Sequence, residues 1–357
     1  MTVEAYEQLA EALDRLPNGF PRTPSGVEIR LLQKIYSPEE AAFAARLTGE
    51  METVDVIAER LGVSVKEARH ALVQMTRKGM AWYEKKEGTR RFRLAPFAVG
   101  VYEHQLERMD HEMAHLFEEY MADGGVAGIM GPEPALHRVI PARSAVKTEL
   151  VLPYDDVRAI LLSAKTYSVS DCICRHQQDE LGTRRCDFPL KVCLYFTWHE
   201  RPPRPGDISQ EEALAVLDLA EEVGLVHSVS NVAAIDSAFG GMGYVCNCCG
   251  CCCGILRGIT DYGIDSSIAR ANYYAVIDPD ECVGCGTCID RCQVKAIFER
   301  DGVSVVDRDR CIGCGLCVTG CPDGVAKLVR LPDAEMIHPP EDFADWERER
   351  LKSRGLS

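Results

Sequence analysis

The sequence places four cysteines at Cys282, Cys285, Cys288 and Cys292, and four more at Cys311, Cys314, Cys317 and Cys321. Both runs have the spacing C-x2-C-x2-C-x3-C, and residues 305–326 repeat residues 276–297 at a displacement of 29. A repeat of this kind is one structural unit used twice. Three closely spaced thiolates, on a loop kept open by Gly284 and Gly286 or by Gly313 and Gly315, can wrap three corners of an iron–sulfur cubane. The small residues let backbone N–H groups approach the sulfides and offset the negative charge. The fourth cysteine of each run points the other way and, in this motif, ligates the other cluster. The expected sets are Cys282, Cys285, Cys288 and Cys321 for a [4Fe-4S] cluster I, and Cys311, Cys314, Cys317 and Cys292 for cluster II. A pair of all-cysteine zinc sites competes poorly, because such sites pair two CxxC knuckles.

Residues 274–330 resemble the bacterial-type two-[4Fe-4S] ferredoxins. The resemblance implies a small α+β sandwich, with strand Ala275–Asp278, a ligand loop, helix Ile289–Cys292, strand Ala296–Arg300 and a turn at Asp301-Gly302, then the same again from Val303. One position departs from that pattern. Gln293 follows the fourth cysteine where a proline is usual, whereas Pro322 keeps it. The departure removes no ligand and is expected to loosen the turn.

Ten further cysteines lie upstream, and none of the eighteen precedes Cys172. Cys172 and Cys174 (DCICRH), Cys186 and Cys193 form one group; Cys246, Cys248, Cys249, Cys251, Cys252 and Cys253 (CNCCGCCCG) form another. In a reducing compartment these are not held as disulfides, and ten unliganded thiols would repel as thiolates and oxidise readily. We expect one or two further Fe-S clusters here, drawing on Cys172, Cys174, Cys186, Cys193, Cys246, Cys248, Cys249, Cys252 and Cys253. Zinc and buried free cysteine are the alternatives. The order CICR, CNCC, CCG and then the dicluster motif resembles a group of 4Fe-4S proteins of anaerobic bacteria, which brings no reaction with it. That resemblance does not include a cysteine at Cys251. Vicinal cysteines before glycine also resemble the noncubane sites of heterodisulfide reductases, although the long spacings between motifs there are missing here.

The elements that must position these residues read as follows. Ser209–Val223 is an amphipathic helix opened by the capping pattern Ser209-x-x-Glu212. Upstream, Glu39–Leu47, Thr53–Gly62 and Val65–Gly79 read as helices, with Ser64 and Glu67 forming a capping box. Trp82–Leu94 reads as two short strands around Glu87-Gly88. This order resembles a winged helix of bacterial regulator type. Residues 51–100 carry ten Lys/Arg against six Asp/Glu, although the chain as a whole has net charge −15. The third helix offers Lys66, Arg69, His70, Gln74, Arg77 and Lys78, and the hairpin Lys85, Lys86, Arg90, Arg91 and Arg93. Lys85 and Arg91 are the first candidates for DNA contact. Docking to protein is the competing use.

Val99–Met121 is expected to be one long helix for packing or homodimerisation. It contains His111-Glu112-x-x-His115, a string like the metal-binding HExxH, but without the context of a third ligand. Gly- and Pro-rich residues 124–141 read as a domain boundary, and Asp342–Lys352 as a charged helical tail. The expected fold is multidomain α+β: a winged-helix-like domain over 1–123, a cysteine-rich domain over 124–255, a ferredoxin-like dicluster domain over 256–331 and a tail over 332–357.

At 357 residues the chain is long enough for such a division, and no apolar run approaches the ~20 residues of a membrane span. With no signal-peptide pattern, a cytoplasmic location is expected. No G-x-G-x-x-G follows a strand, so a nicotinamide or flavin site has no support. No catalytic residue is assigned, and an enzyme is less expected than an electron-transfer component. The expected function is an iron-sulfur electron-transfer protein serving an anaerobic oxidoreductase, with a flavoprotein or oxidoreductase subunit as redox partner. The alternative is a redox- or iron-responsive transcriptional regulator.

Overall fold

In the computed structural model, residues 2–146 and 153–356 are described. The chain forms two compact units. One comprises residues 1–133, 176–183 and 347–357, the other 134–175 and 184–346. The expected cysteine-rich and dicluster segments therefore share one unit, and the end of the tail belongs with the N-terminal segment.

The N-terminal unit begins with helices α1 (Thr2–Asp14), α2 (Val27–Ile35) and α3 (Pro38–Ala44). Strand β1 (Glu52–Thr53), helices α4 (Val54–Leu61) and α5 (Val65–Arg77), and strands β2 (Ala81–Lys86) and β3 (Thr89–Leu94) follow. β1, β3 and β2 form an antiparallel sheet in that order. Local chemistry fixes these boundaries. Ser64 accepts a hydrogen bond from the Glu67 N–H, Glu67 reaches back to the Ser64 N–H, and Gly62 ends α4 at φ 68°. The hairpin turns at Glu87 and Gly88, both at positive φ, as the right-handed twist of two-residue turns demands.

The single helix expected over Val99–Met121 is broken. Tyr102–Arg108 is 3-10, Met109 is extended, and α6 runs from His111 to Tyr120. Asp110 causes the restart, its carboxylate accepting the Met113 N–H at 2.9 Å as the N-cap of α6. In this unit α7 spans Val126–Met130.

The second unit is built on a six-stranded antiparallel sheet. Its strands are β4 (His137–Ile140), β5 (Thr166–Asp171), β6 (Lys191–Thr197), β7 (Asp207–Ile208), β8 (Val226–Ser230) and β9 (Met242–Cys248), in the order β4-β8-β9-β6-β5-β7. Helices α8 (Val157–Ser163), α10 (Gln210–Val223) and α11 (Gly254–Thr260) are interspersed, together with the first residues of α9 (Ile173–Glu180), whose remainder from His176 is counted with the N-terminal unit. Ser209 and Glu212 form the expected capping box on α10.

The dicluster segment repeats strand, loop and short helix. It comprises β10 (Tyr273–Ile277), α12 (Thr287–Asp290), β11 (Ile297–Arg300), β12 (Val303–Val306), α13 (Leu316–Thr319) and β13 (Ala326–Arg330). β10 pairs with β13 and β11 with β12, both antiparallel. The last helix, α14, covers Phe343–Ser353. Within the N-terminal unit its Arg350 is fully buried and donates to the carbonyls of Pro17 and Pro132. No helix among the described residues is long and apolar enough to cross a membrane.

Candidate metal centres

The two ligand loops of the dicluster segment follow β10 and β12, and left-handed glycines shape them. Gly284 has φ 69° and Gly313 has φ 72°. A Cβ on Gly284 would lie 2.2 Å from the Gly302 carbonyl oxygen, and one on Gly313 2.3 Å from that of Tyr273. Only glycine fits either place. Cys282, Cys285, Cys288 and Cys321 line one open pocket, with Ser304 at its wall. Backbone N–H groups of Ser304 and Gly284 hold the Cys282 thiol below its ordinary pKa.

Cys292, Cys311, Cys314 and Cys317 form a second set, near enough to feel one another's charge, and none of them is exposed. Burial pushes the Cys314 thiol well up and the Cys317 thiol up to about 12, and the neighbouring members of the set push in the same direction. Thiols raised in this way ionise together only beside compensating positive charge, which is what metal coordination supplies. The amide of Ala296 donates to Cys292 Sγ at 3.1 Å and that of Ala275 to Cys311 Sγ at 3.5 Å. Donors to sulfur of this kind tune a cluster's potential. The sets differ in exposure: Cys285 is exposed and Val283 is 71% exposed, whereas Cys317 is buried.

Ten thiols remain in the same unit, and Cys172, Cys174, Cys186, Cys193, Cys249, Cys251 and Cys252 among them pack in one apolar core with Val192, Ala220 and Leu225. They fall into two groups. Cys186, Cys249, Cys251 and Cys252 have all four sulfurs within 4.8 Å of one another. Cys251, set aside on sequence, thus stands with Cys252 at 3.5 Å. Its signal was the C-x-C-C spacing of Cys249, Cys251 and Cys252, which lets one tight loop turn three sulfurs inward.

The other six, Cys172, Cys174, Cys193, Cys246, Cys248 and Cys253, are near enough that each shifts the ionisation of two others. β6 supplies Cys193, β9 supplies Cys246 and Cys248, α9 supplies Cys174, and Cys253 is the N-cap of α11.

Arg175 was not singled out on sequence. Its side chain is fully buried, donating to the Asn247 carbonyl at 2.8 Å and the Pro189 carbonyl at 3.2 Å. The thiols of Cys172, Cys249 and Cys248 hold its pKa up against desolvation. Its Nε has no hydrogen-bond acceptor. A buried cation that feels the charge of both thiol groups fits sulfur ligands that carry negative charge.

Gln293 joins the dicluster segment to this core. Its Oε1 accepts the Gly250 N–H at 2.9 Å, and its Nε2 donates to the Gly224 carbonyl at 2.8 Å. The departure from proline beside Cys292 thus carries two hydrogen bonds, one to the loop that bears Cys249 and Cys251.

The other sequence candidates are dispersed. In the HEMAH string Glu112 pairs with Lys34 at 2.5 Å, and His115 lies 3.8 Å from Glu119. On the hairpin Lys85 is exposed, Arg91 lies 3.9 Å from Glu84, and Arg93 is buried against Glu347 at 2.8 Å. Arg93 is therefore unavailable for phosphate, and Lys78 pairs with Glu40 at 2.5 Å.

A family model described as a 4Fe-4S dicluster domain matches residues 275–331. This segment is a [4Fe-4S]-binding dicluster domain, and the eight thiols described above lie inside it. Neither the curated proteins nor the solved structures contain a match to the chain.

Proposed function

We propose that this protein is an electron-transfer component of a larger oxidoreductase, with cluster I held by Cys282, Cys285, Cys288 and Cys321 and cluster II by Cys311, Cys314, Cys317 and Cys292. The observation that carries the reading is the sharing of thiols between the repeats: Cys321 lines the first pocket, and Cys292 stands among the second set. Two [4Fe-4S] clusters supply reversible one-electron transfer at low potential. The protein's own part is to wrap them, set their hydrogen bonds and offer an approach.

That approach is the loop of exposed Val283 and Cys285, bordered by exposed Asp278, Asp280, Glu281 and Asp323. An apolar tip within an acidic border suits a redox partner with a basic rim. The ten upstream thiols add one or two further metal centres, and iron in them would lengthen the path for electrons. The test is reduction by a low-potential donor followed by transfer to an acceptor flavoprotein. The reading predicts reversible cycling whose rate falls with added salt and falls in Asp280→Lys. Clusters that cannot be cycled would end it.

The second reading, a redox- or iron-responsive regulator, is supported by the exposed Lys66, Arg69 and His70 of α5 and Lys85 and Arg90 of the hairpin. In this reading the N-terminal unit is a winged helix. Mobility shift with promoter DNA, in both redox states at low salt, discriminates. Equal binding in the two states removes the switch, and no binding in either removes DNA recognition.

A further inference from the structure

We infer that Cys186, Cys249, Cys251 and Cys252 form a sulfide-free metal centre, a single tetrahedral ion bound by their four thiolates. This rests on the reading that these thiols hold metal, and goes beyond it in stating what kind.

Sulfur spacing carries the argument. A tetrahedral ion with metal–sulfur bonds of about 2.3 Å has sulfurs about 3.8 Å apart. In the group of four, Cys186 and Cys252 stand at 3.8 Å and Cys251 and Cys252 at 3.5 Å. None of its sulfurs is more than 4.8 Å from another. A cubane places each thiolate on a different iron, so its thiolates are spread further by the separation between irons. Among the described residues no other three thiols lie that close together, those of the dicluster domain included.

Charge points the same way. Four thiolates on one divalent ion leave a modest negative excess, and the buried Arg175 guanidinium lies beside Cys249. All-sulfur tetrahedral ligation in a thiol-rich core selects a thiophilic divalent ion, zinc or ferrous iron.

The test is elemental analysis and acid-labile sulfide on the anaerobically purified full-length protein, with Cys186→Ser beside it. Cys186→Ser should lose about one metal ion per chain, with sulfide unchanged. The element that is lost identifies the ion. Sulfide lost with the metal overturns the inference in favour of an iron–sulfur cluster and leaves the metal-centre reading standing. Unchanged metal in a folded variant overturns the inference, and no metal beyond the dicluster iron in the intact chain overturns both. Where Cys186→Ser fails to fold, Cys251→Ser is read by the same two measurements.

Discussion

Gly250 sits where two parts of one unit meet, and its lack of a side chain is a requirement of packing. A Cβ there would lie 1.9 Å from the Gln293 carbonyl oxygen, which is backbone and cannot swing aside. Gly250→Ala should therefore force the loop of Cys249 and Cys251 away from the dicluster segment, costing about 1–3 kcal/mol as overpacking does. Denaturant unfolding of the holoprotein checks the cost, and retention of wild-type stability would show that the loop is not held there. His137 offers a second residue-scale expectation. It is buried, and desolvation pulls its pKa down to about 3, while burial lowers that of His227 as well. A histidine held neutral in the fold takes up its proton only on unfolding. Its contribution is complete above the unfolded value near 6.5 and is lost as the pH falls from there towards 3. The slope from His137 alone should steepen as the pH falls below 6.5 and approach about 1.4 kcal/mol per unit near about pH 5. His137→Gln should flatten that slope.

At the scale of elements, α5 depends on its first turn, where Ser64 and Glu67 satisfy each other's backbone donors. Ser64→Ala should cost about 1 kcal/mol, read as a lower urea midpoint at unchanged slope. Helices of this kind were legible in the sequence because caps and glycines mark their ends locally. The hairpin at Glu87-Gly88 and the capping box on α10 were legible for the same reason. The helix over Val99–Met121 was not, because its apolar spacing continues through Asp110, and only the carboxylate's reach to the Met113 N–H shows a new start. The six-stranded sheet also went unread. Its strands are short and mostly buried on both faces, as β8 is throughout, so no alternation announces them. The eight dicluster thiols were legible because one loop carries three ligands of each set. The partition of the other ten was not, since Cys186 reaches Cys252 across 66 residues of chain. Arg175 matters only once the sheet has brought Cys249 beside it.

For the whole molecule, eighteen thiols gathered in one unit leave the N-terminal unit free of cysteine among its described residues. The N-terminal unit carries the exposed basic side chains of α5 and the hairpin, and the other carries the acidic approach at Val283. This division is what a redox module joined to a recognition module would show, and it accommodates either proposed function. Common to both is the dicluster domain, so the most direct measurement is EPR through a potentiometric titration of the anaerobically purified protein. The account predicts about two reversible one-electron reductions from the dicluster domain. Their spin-half signals should broaden each other, because Cys288 and Cys317 lie in one core. A reduced protein with no paramagnetic signal, carrying zinc where these eight thiols stand, would contradict it.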